Sequence, residues 1–406
     1  MHRSLLIAGD RQDRAQTLRR TDHLAALATQ SLIAEAELTP KPGLVDRRGS
    51  GAHNDLSLKL MTQSATVLEP YFAAMASCSQ VRDLDTDLRM ELAEIGRAAE
   101  RAMFKATQGS NTHKGAIWIL GLLVAAAARG EVWSAREIVA VAGSIARLPD
   151  RALPEHITHG DIVRNRYGAA GARGEAVSSF PHVINFGLAT LRDRRAGRFL
   201  EEICRLDALL SVMAELDDTC VLYRGGVETL DVVKSCAKAV LVAGGYGSRN
   251  GRQKMRELDR ELIRRHISPG GSADLLAATI FLDAVERELL EVDKDQSEWR
   301  REMEQLKFDY PSAVRPVTKR AHVGVVGSGD MEVLMQPSET GGAQVSILTS
   351  VNGFGASWKA VMDRFFAKYD GAVRIDINDA GATPGSVMLR LEQAVEVIEP
   401  REVIKK

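Results

Sequence analysis

Residues 293–320 read DKDQSEWRREMEQLKFDYPSAVRPVTKR, and the pattern of the chain changes across them. The stretch is dense in charge and carries two prolines near its end, which predicts a short solvated helix and then a linker. Upstream, from about residue 15 to residue 290, apolar residues recur at helical spacing with no alternating run. Downstream the period becomes two. This contrast divides the sequence into a large all-α N-terminal domain over 1–292, a linker over 293–320 and a small α+β domain over 321–406.

The helical part shows its faces directly. Leu24, Leu27, Ala28, Ile33 and Ala34 share one side of a helix, and Leu88, Leu92, Ile95, Ala99 and Met103 share another. Ser134 with Glu137 predicts a capping box ahead of IVAVAGSIARL, and Ser272 is the expected N-cap of ADLLAATIFLDAVEREL. The run AIWILGLLVAAAA (116–128) is shorter than the roughly 18 residues of a membrane span and reads as a buried helix. In the small domain, AHVGVVG, MEVLMQP, QVSILTS and AVRIDI are strand-like, and SWKAVMDRFFAKY is amphipathic. Thr383 before Pro384 opens a last helix.

Of the 406 residues, 45% are hydrophobic and 26% charged, enough to build real cores. A net charge of -1 provides no global field for nucleic acid or an anionic membrane, so neither partner is expected and any recognition of an acidic ligand is local. The apolar run at the N-terminus is too short for a signal peptide. The four cysteines, at 78, 204, 220 and 236, form no C-x-x-C pair and read as free thiols of a cytoplasmic protein.

Four glycine-rich interruptions break the helical part. TPKPGLVDRRGSGAHND (39–55) brings Lys41, Asp46, Arg47, Arg48, His53 and Asp55 into one loop. TQGSNTHKGA (107–116) sets Ser110, Asn111, His113 and Lys114 before the most apolar helix, whose N-terminal amides are suited to an anion. THGDIVRNRYGAAGARGEA (158–176) carries Arg173 and Glu175, and LDDTCVLYRGG (216–226) joins Asp217 and Asp218 to Arg224. Taken singly, each admits a plain reading as a polar loop, with Asp55 capping the next helix. Recurrence of one chemical theme favours a single polyphosphate and Mg²⁺ pocket. No P-loop is present, and GGYGSRNG does not fit the dinucleotide fingerprint.

In order, TPKPGLVDRRGSGAH, GSNTHKGAIW, YGAAGARGEA and DDTCVLYRGG resemble the motifs of the triphosphoribosyl-dephospho-CoA synthase family, in the variant that serves malonate decarboxylase. The resemblance runs over most of residues 20–290. Residues 321–398, through VGVVGSGDMEVL, LTSVNGFGASWKAVMDRFF and IDINDAGATPGSVMLRLEQA, resemble the acyl carrier (delta) subunit of malonate decarboxylase. The resemblance implies that ATP and 3'-dephospho-CoA are substrates, and that the triphosphoribosyl group moves to the 2'-hydroxyl of the acceptor with release of adenine.

Under that implication, Lys41, Arg173 and Arg224 hold phosphates, with Lys114 and the 110–115 amides alongside, and Asp46, Arg47, Ser110 and Asn111 also belong to the substrate-binding set. Asp46, Asp55 and Asp218 are the candidates for Mg²⁺, Glu175 or Asp55 for the base, and His53 or His113 for the donor to adenine. Ser328, in the turn V-G-S-G-D, is the implied attachment point of a covalent phosphoribosyl-dephospho-CoA arm. A separate phosphoribosyl-dephospho-CoA transferase would install it, and the malonate decarboxylase subunits would use it. Tyr223 departs from the pattern, because histidine is expected before R-G-G. Two other readings remain: an impaired scaffold or carrier subunit, and a helical Mg-dependent nucleotide or ADP-ribosyl hydrolase.

Overall fold

A computed structural model of the chain describes residues 2–130, 134–151, 159–324, 329–339 and 341–399. Two compact units emerge, Met1–Leu289 and Leu290–Lys406. The helices of the first are α1 (His2–Glu37), α2 (Leu58–Val81), α3 (Thr86–Ala106), α4 (Lys114–Ala128), α5 (Ala135–Arg147), α6 (His159–Tyr167) and α7 (Gly171–Val177). A π-helical turn (Val183–Leu188) leads into α8 (Ala189–Ala196). Then come α9 (Glu201–Glu215), α10 (Thr219–Val242), α11 (Arg249–Arg264) and α12, which runs Gly270–Glu302. The all-helical expectation is borne out.

Two apolar cores organise this unit. One gathers the buried faces of α1 to α5, and the other those of α9 to α11. α12 serves both, with Leu275, Ala278, Leu282 and Val285 in the first core and Ala273, Leu276 and Ile280 in the second. This explains why ADLLAATIFL is apolar nearly all round: a helix packed on two sides keeps no polar stripe there. α4 is buried from Ala116 to Ala128 except at Trp118, as its sequence predicts. Truncating Leu120 or Leu123, both fully buried, costs about 2–5 kcal/mol.

The caps are partly as expected. Ser134 and Glu137 form the capping box of α5. Asp55, however, does not cap α2; Ser57 does, accepting from the Leu60 amide. α12 begins at Gly270 rather than after Ser272, because the Asp218 carboxylate reaches across to accept from the Gly271 and Ser272 amides.

The second unit is a five-stranded sheet in the order β1-β4-β5-β3-β2. Its strands are β1 (Glu304–Tyr310), β2 (Ala321–Gly324), β3 (Met331–Pro337), β4 (Ala343–Thr349) and β5 (Val373–Asp379). β4 and β5 run parallel, joined through α13 (Gly355–Phe366), and the other pairs are antiparallel. α13 and α14 (Pro384–Ile398) bury Trp358, Met362, Phe365, Val387, Leu391 and Ala394 against alternate residues of β3, β4 and β5. Thr383 caps α14 with Pro384 in its first turn.

The linker expected over 293–320 is corrected in part. Glu304–Tyr310 is an edge strand, paired residue for residue with β4. Its inward Leu306, Phe308 and Tyr310 lean on the core, while Gln305, Lys307 and Asp309 face solvent. Polar outward positions made the strand look like a connector.

Candidate functional site

Each of the four glycine-rich segments touches another. Ser110 Oγ donates to the Asp55 carbonyl at 3.3 Å, which ties the second segment to the first. A Cβ added at Gly171 would lie 3.1 Å from the Thr219 methyl, so the third segment abuts the start of α10. Residues 52–55 of the first segment and Arg224 of the fourth line one cleft of about 540 Å³, together with Arg265 and His266. The size suits a small-molecule site.

Three helix N-termini meet beside it. Asp218 caps α10 by accepting from the Cys220 amide at 2.9 Å, and caps α12 through the Ser272 amide at 2.8 Å and its hydroxyl at 2.9 Å. Asp274, in the first turns of α12, presses its carboxylate on Gly115 at the start of α4, where any Cβ would collide with it. Amide ends and their dipoles create positive potential where they converge. Gly226 adds a break: with φ 70° it interrupts α10 just after Arg224.

Arg224 makes no hydrogen bond or ion pair among the described residues and stands in the cleft. His53 faces it; burial and the Arg224 charge lower the His53 pKa, with Asp55 opposing at 3.7 Å. The imidazole is therefore neutral at pH 7. Asp55 is largely exposed on the cleft wall. Arg47 is exposed and paired with Glu37. Asn111 accepts from the Lys114 amide at 3.2 Å, capping α4, and Lys114 reaches Glu100 of α3.

Other expected residues sit where direct contact with a ligand does not fit. Lys41 is 1% exposed, its ammonium 2.5 Å from the equally buried Glu35. It is half of a buried internal ion pair. Asp46 is buried too, accepting from the Lys41 amide and from the backbone and guanidinium of Arg48. Arg48 continues to Asp259, which holds the Gly43 amide. Gly43 needs its φ of 68°, and a Cβ there would come 2.5 Å from the Ile267 carbonyl. These contacts fix the loop's shape.

Asp46, Asp55 and Asp218 are not assembled into a metal site. Among the described residues no group of three His, Cys, Asp or Glu side chains is arranged to hold an ion. Asp46 and Asp218 have their oxygens filled by internal donors; Asp55 alone of the three keeps free oxygens at the cleft.

His113 is also internal. Its Nδ1 meets Ser64 Oγ at 2.9 Å, its Nε2 has no partner, and burial with the nearby Lys41 charge takes its pKa down to about 3. Glu175, expected as a base, is buried and bonded twice to His182: Oε1 accepts the backbone amide at 2.8 Å and Oε2 the Nδ1–H at 2.7 Å. Arg173 is exposed on α7.

Two residues escaped the sequence reading. His182 stands at the entry of the π-helical turn, a geometry frequent at working sites, and the Glu175 carboxylate raises its pKa against the effect of burial. Asp274 has a pKa well above the usual carboxylate range, from burial first and then from the Glu35 and Asp218 charges. Ser328 lies outside the described residues. Just beyond it, the Gly329 amide donates to the Ala380 carbonyl, and Asp330 pairs with Arg390.

No helix among the described residues is long and apolar enough to cross a membrane. Residues 21–292 match the family model for ATP:dephospho-CoA triphosphoribosyl transferase, and residues 318–398 match that for the malonate decarboxylase delta subunit. A protein of Azotobacter vinelandii named "Probable 2-(5''-triphosphoribosyl)-3'-dephosphocoenzyme-A synthase" is 52% identical over 268 residues, covering 65% of this chain and 92% of its own. A protein of the same name from Pseudomonas fluorescens (strain Pf0-1) is 49% identical over 275 residues, 67% of this chain and 95% of its own. A chain from a Pseudomonas malonate decarboxylase hetero-tetramer crystallised with malonate is 47% identical over 24% of this chain and 99% of its own, with a TM-score of 0.23. The chain therefore belongs to the ATP:dephospho-CoA triphosphoribosyl transferase family and carries a malonate decarboxylase delta-subunit domain behind the family's helical domain.

Proposed function

We propose that the helical unit transfers the triphosphoribosyl group of ATP to the 2'-hydroxyl of 3'-dephospho-CoA and releases adenine, and that the second unit is the carrier that receives the finished group on Ser328. The observation that carries the first half is the unpaired Arg224 in a cleft beside three converging helix N-termini. Such a place suits a polyphosphate: a guanidinium free to grip phosphoryl oxygens stands beside helix starts whose dipoles favour negative charge.

Displacement at the anomeric carbon requires proton removal from the attacking hydroxyl and stabilisation of a cationic sugar. Asp274 is assigned the first task, because burial raises its pKa and so makes the carboxylate a stronger base. Asp55 suits the second, as an exposed carboxylate on the cleft wall. Its free oxygens also fit a Mg²⁺ ion carried on the triphosphate, which would neutralise phosphate charge; such an ion needs only one or two protein carboxylates. His53, which lines the cleft with Arg224, is assigned to donate a hydrogen bond to the departing base. Glu175 and His113 act at one remove, by orienting His182 and supporting the loop.

The test is to incubate the purified chain with ATP, Mg²⁺ and 3'-dephospho-CoA and to follow adenine and product by mass spectrometry. Adenine should appear in step with product, and only when both substrates are present. No adenine points to the scaffold reading, and nucleotide breakdown without the acceptor points to the hydrolase; either overturns the proposal. Intact-mass analysis with a phosphoribosyl-dephospho-CoA transferase supplied tests the carrier half, since a gain in mass should vanish in Ser328→Ala.

A further inference from the structure

Away from the Arg224 cleft, α3, α4 and α7 bring together a second group of cations. Arg89 of α3 is 5% exposed, yet among the described residues its guanidinium makes no hydrogen bond, and its ion pair there is with Asp150, at 3.6 Å. Its Nε is buried without a partner. The guanidinium stacks on the Trp118 ring, Cζ to centroid 4.7 Å, and the Trp118 Nε1–H is likewise buried and unpartnered. Arg97, two turns along α3, reaches the same Asp150 at 3.3 Å, and the exposed Arg173 of α7 is close enough to act on Arg89 electrostatically. Two guanidinium groups thus share one carboxylate, with a third cation close by.

This arrangement is costly as it stands. Buried donors in a native protein are almost always satisfied, and a buried charge held only by a distant counter-charge keeps much of its desolvation cost. Burial lowers the Arg89 pKa, and the Arg173 and Arg97 charges lower it further against Asp150. An oxyanion with several acceptors would satisfy both orphan donors and offset the excess charge. Planar guanidinium groups match phosphoryl oxygens in pairs. Arg97 and Arg173, both more exposed than Arg89, give such an anion a way in.

The cluster is distinct from the cleft and shares none of its lining residues. Trp118 lies one turn beyond Lys114 on the same face of α4, and Arg173 follows two residues after Gly171, which abuts the start of α10. We infer that Arg89, Arg97 and Arg173, with the Trp118 indole N–H, form a second phosphate subsite, which holds the diphosphate of the acceptor nucleotide while the Arg224 cleft holds the tail of ATP. The identity of that diphosphate rests on the proposed reaction; the anion subsite itself does not.

The test is equilibrium binding to the full chain of three probes: 3'-dephospho-CoA, inorganic diphosphate and ATP. Arg97→Ala/Arg173→Ala should weaken 3'-dephospho-CoA and diphosphate at least about tenfold and leave ATP within about threefold, with the double lysine variant between. Arg224→Ala should show the reverse pattern. Arg89→Met, if it folds, should match the double variant. Unchanged diphosphate and acceptor binding would overturn the subsite, and so would a loss that falls on ATP. Because binding is read without turnover, absence of adenine release in the wild type would refute the reaction while leaving the diphosphate result to decide the subsite.

Discussion

Replacing Lys41 by methionine separates two roles that its position in a Gly/Pro loop confuses. In the structure Lys41 and Glu35 are both nearly inaccessible and bonded at 2.5 Å. Removing the ammonium leaves the Glu35 carboxylate buried without its counter-charge, a change that costs about 3–5 kcal/mol. At about 2–4 °C per kcal/mol for a unit of this size, the thermal transition should fall by about 6–20 °C. The double variant Lys41→Met/Glu35→Met replaces the pair by apolar side chains of similar length, and should recover at least about 2 kcal/mol of the loss. Far-UV circular dichroism during a thermal scan reads both, because the helical unit dominates the signal. If Lys41 held phosphate directly, the double variant would bind ATP more than about tenfold worse than wild type; as an internal strut it should change the ATP KM by less than about threefold. A single variant within about 1 kcal/mol of wild type, or a double variant no more stable than the single, would refute the buried-pair argument.

Arg224→Ala should leave the thermal transition unchanged, since the side chain has no hydrogen-bond or ion-pair partner among the described residues, and should raise the ATP KM by about 10- to 100-fold in steady-state assays, the effect of one charge-assisted contact or more. Glu175→Gln should remove the stability that His182 gains on protonation. With the folded pKa of His182 raised above 6.5, that stability is fully present below pH 6.5 and disappears as pH rises through the folded pKa, so the variant's deficit in urea unfolding should be larger at about pH 6 than at about pH 9. A deficit independent of pH would show that the carboxylate acts on the backbone amide alone. His113 has the opposite sign: its folded pKa of about 3 lies below 6.5, so the unfolded state takes up the proton first and stability falls by about 1.4 kcal/mol per pH unit between pH 6.5 and 3. His113→Gln should flatten that slope by about one proton, as measured by unfolding at a series of pH values.

Much of the architecture could be read from local pattern, because amphipathic helices and one-sided strands announce themselves through residues a few positions apart. The capping box at Ser134 and the Thr383-Pro384 start are of this kind. β1 was missed because an edge strand shows solvent a polar face, and Gln305, Lys307 and Asp309 make its alternation resemble a charged connector. The site was legible as four segments but not as contacts. Lys41 suggested an exposed cation, and nothing local indicates that Glu35, on the preceding helix, draws it inward. His182 has no signature of its own in SSFPHVINFG; only the Glu175 carboxylate, seven residues earlier, gives it a role. Asp274 resembles any acid near a helix start until the fold brings it against Gly115.

Asp218 has a consequence of another kind. Its two oxygens tether the first turn of α10 to that of α12, 54 residues further along the chain. Arg224 rides on one of these helices and Asp274 on the other, so the spacing of the two side chains is governed by one short carboxylate. Lengthening it by a methylene, as in Asp218→Glu, would respace the two groups together. One hidden carboxylate thus sets the gap between two helix starts, and any change there would be felt at Arg224 and Asp274 together.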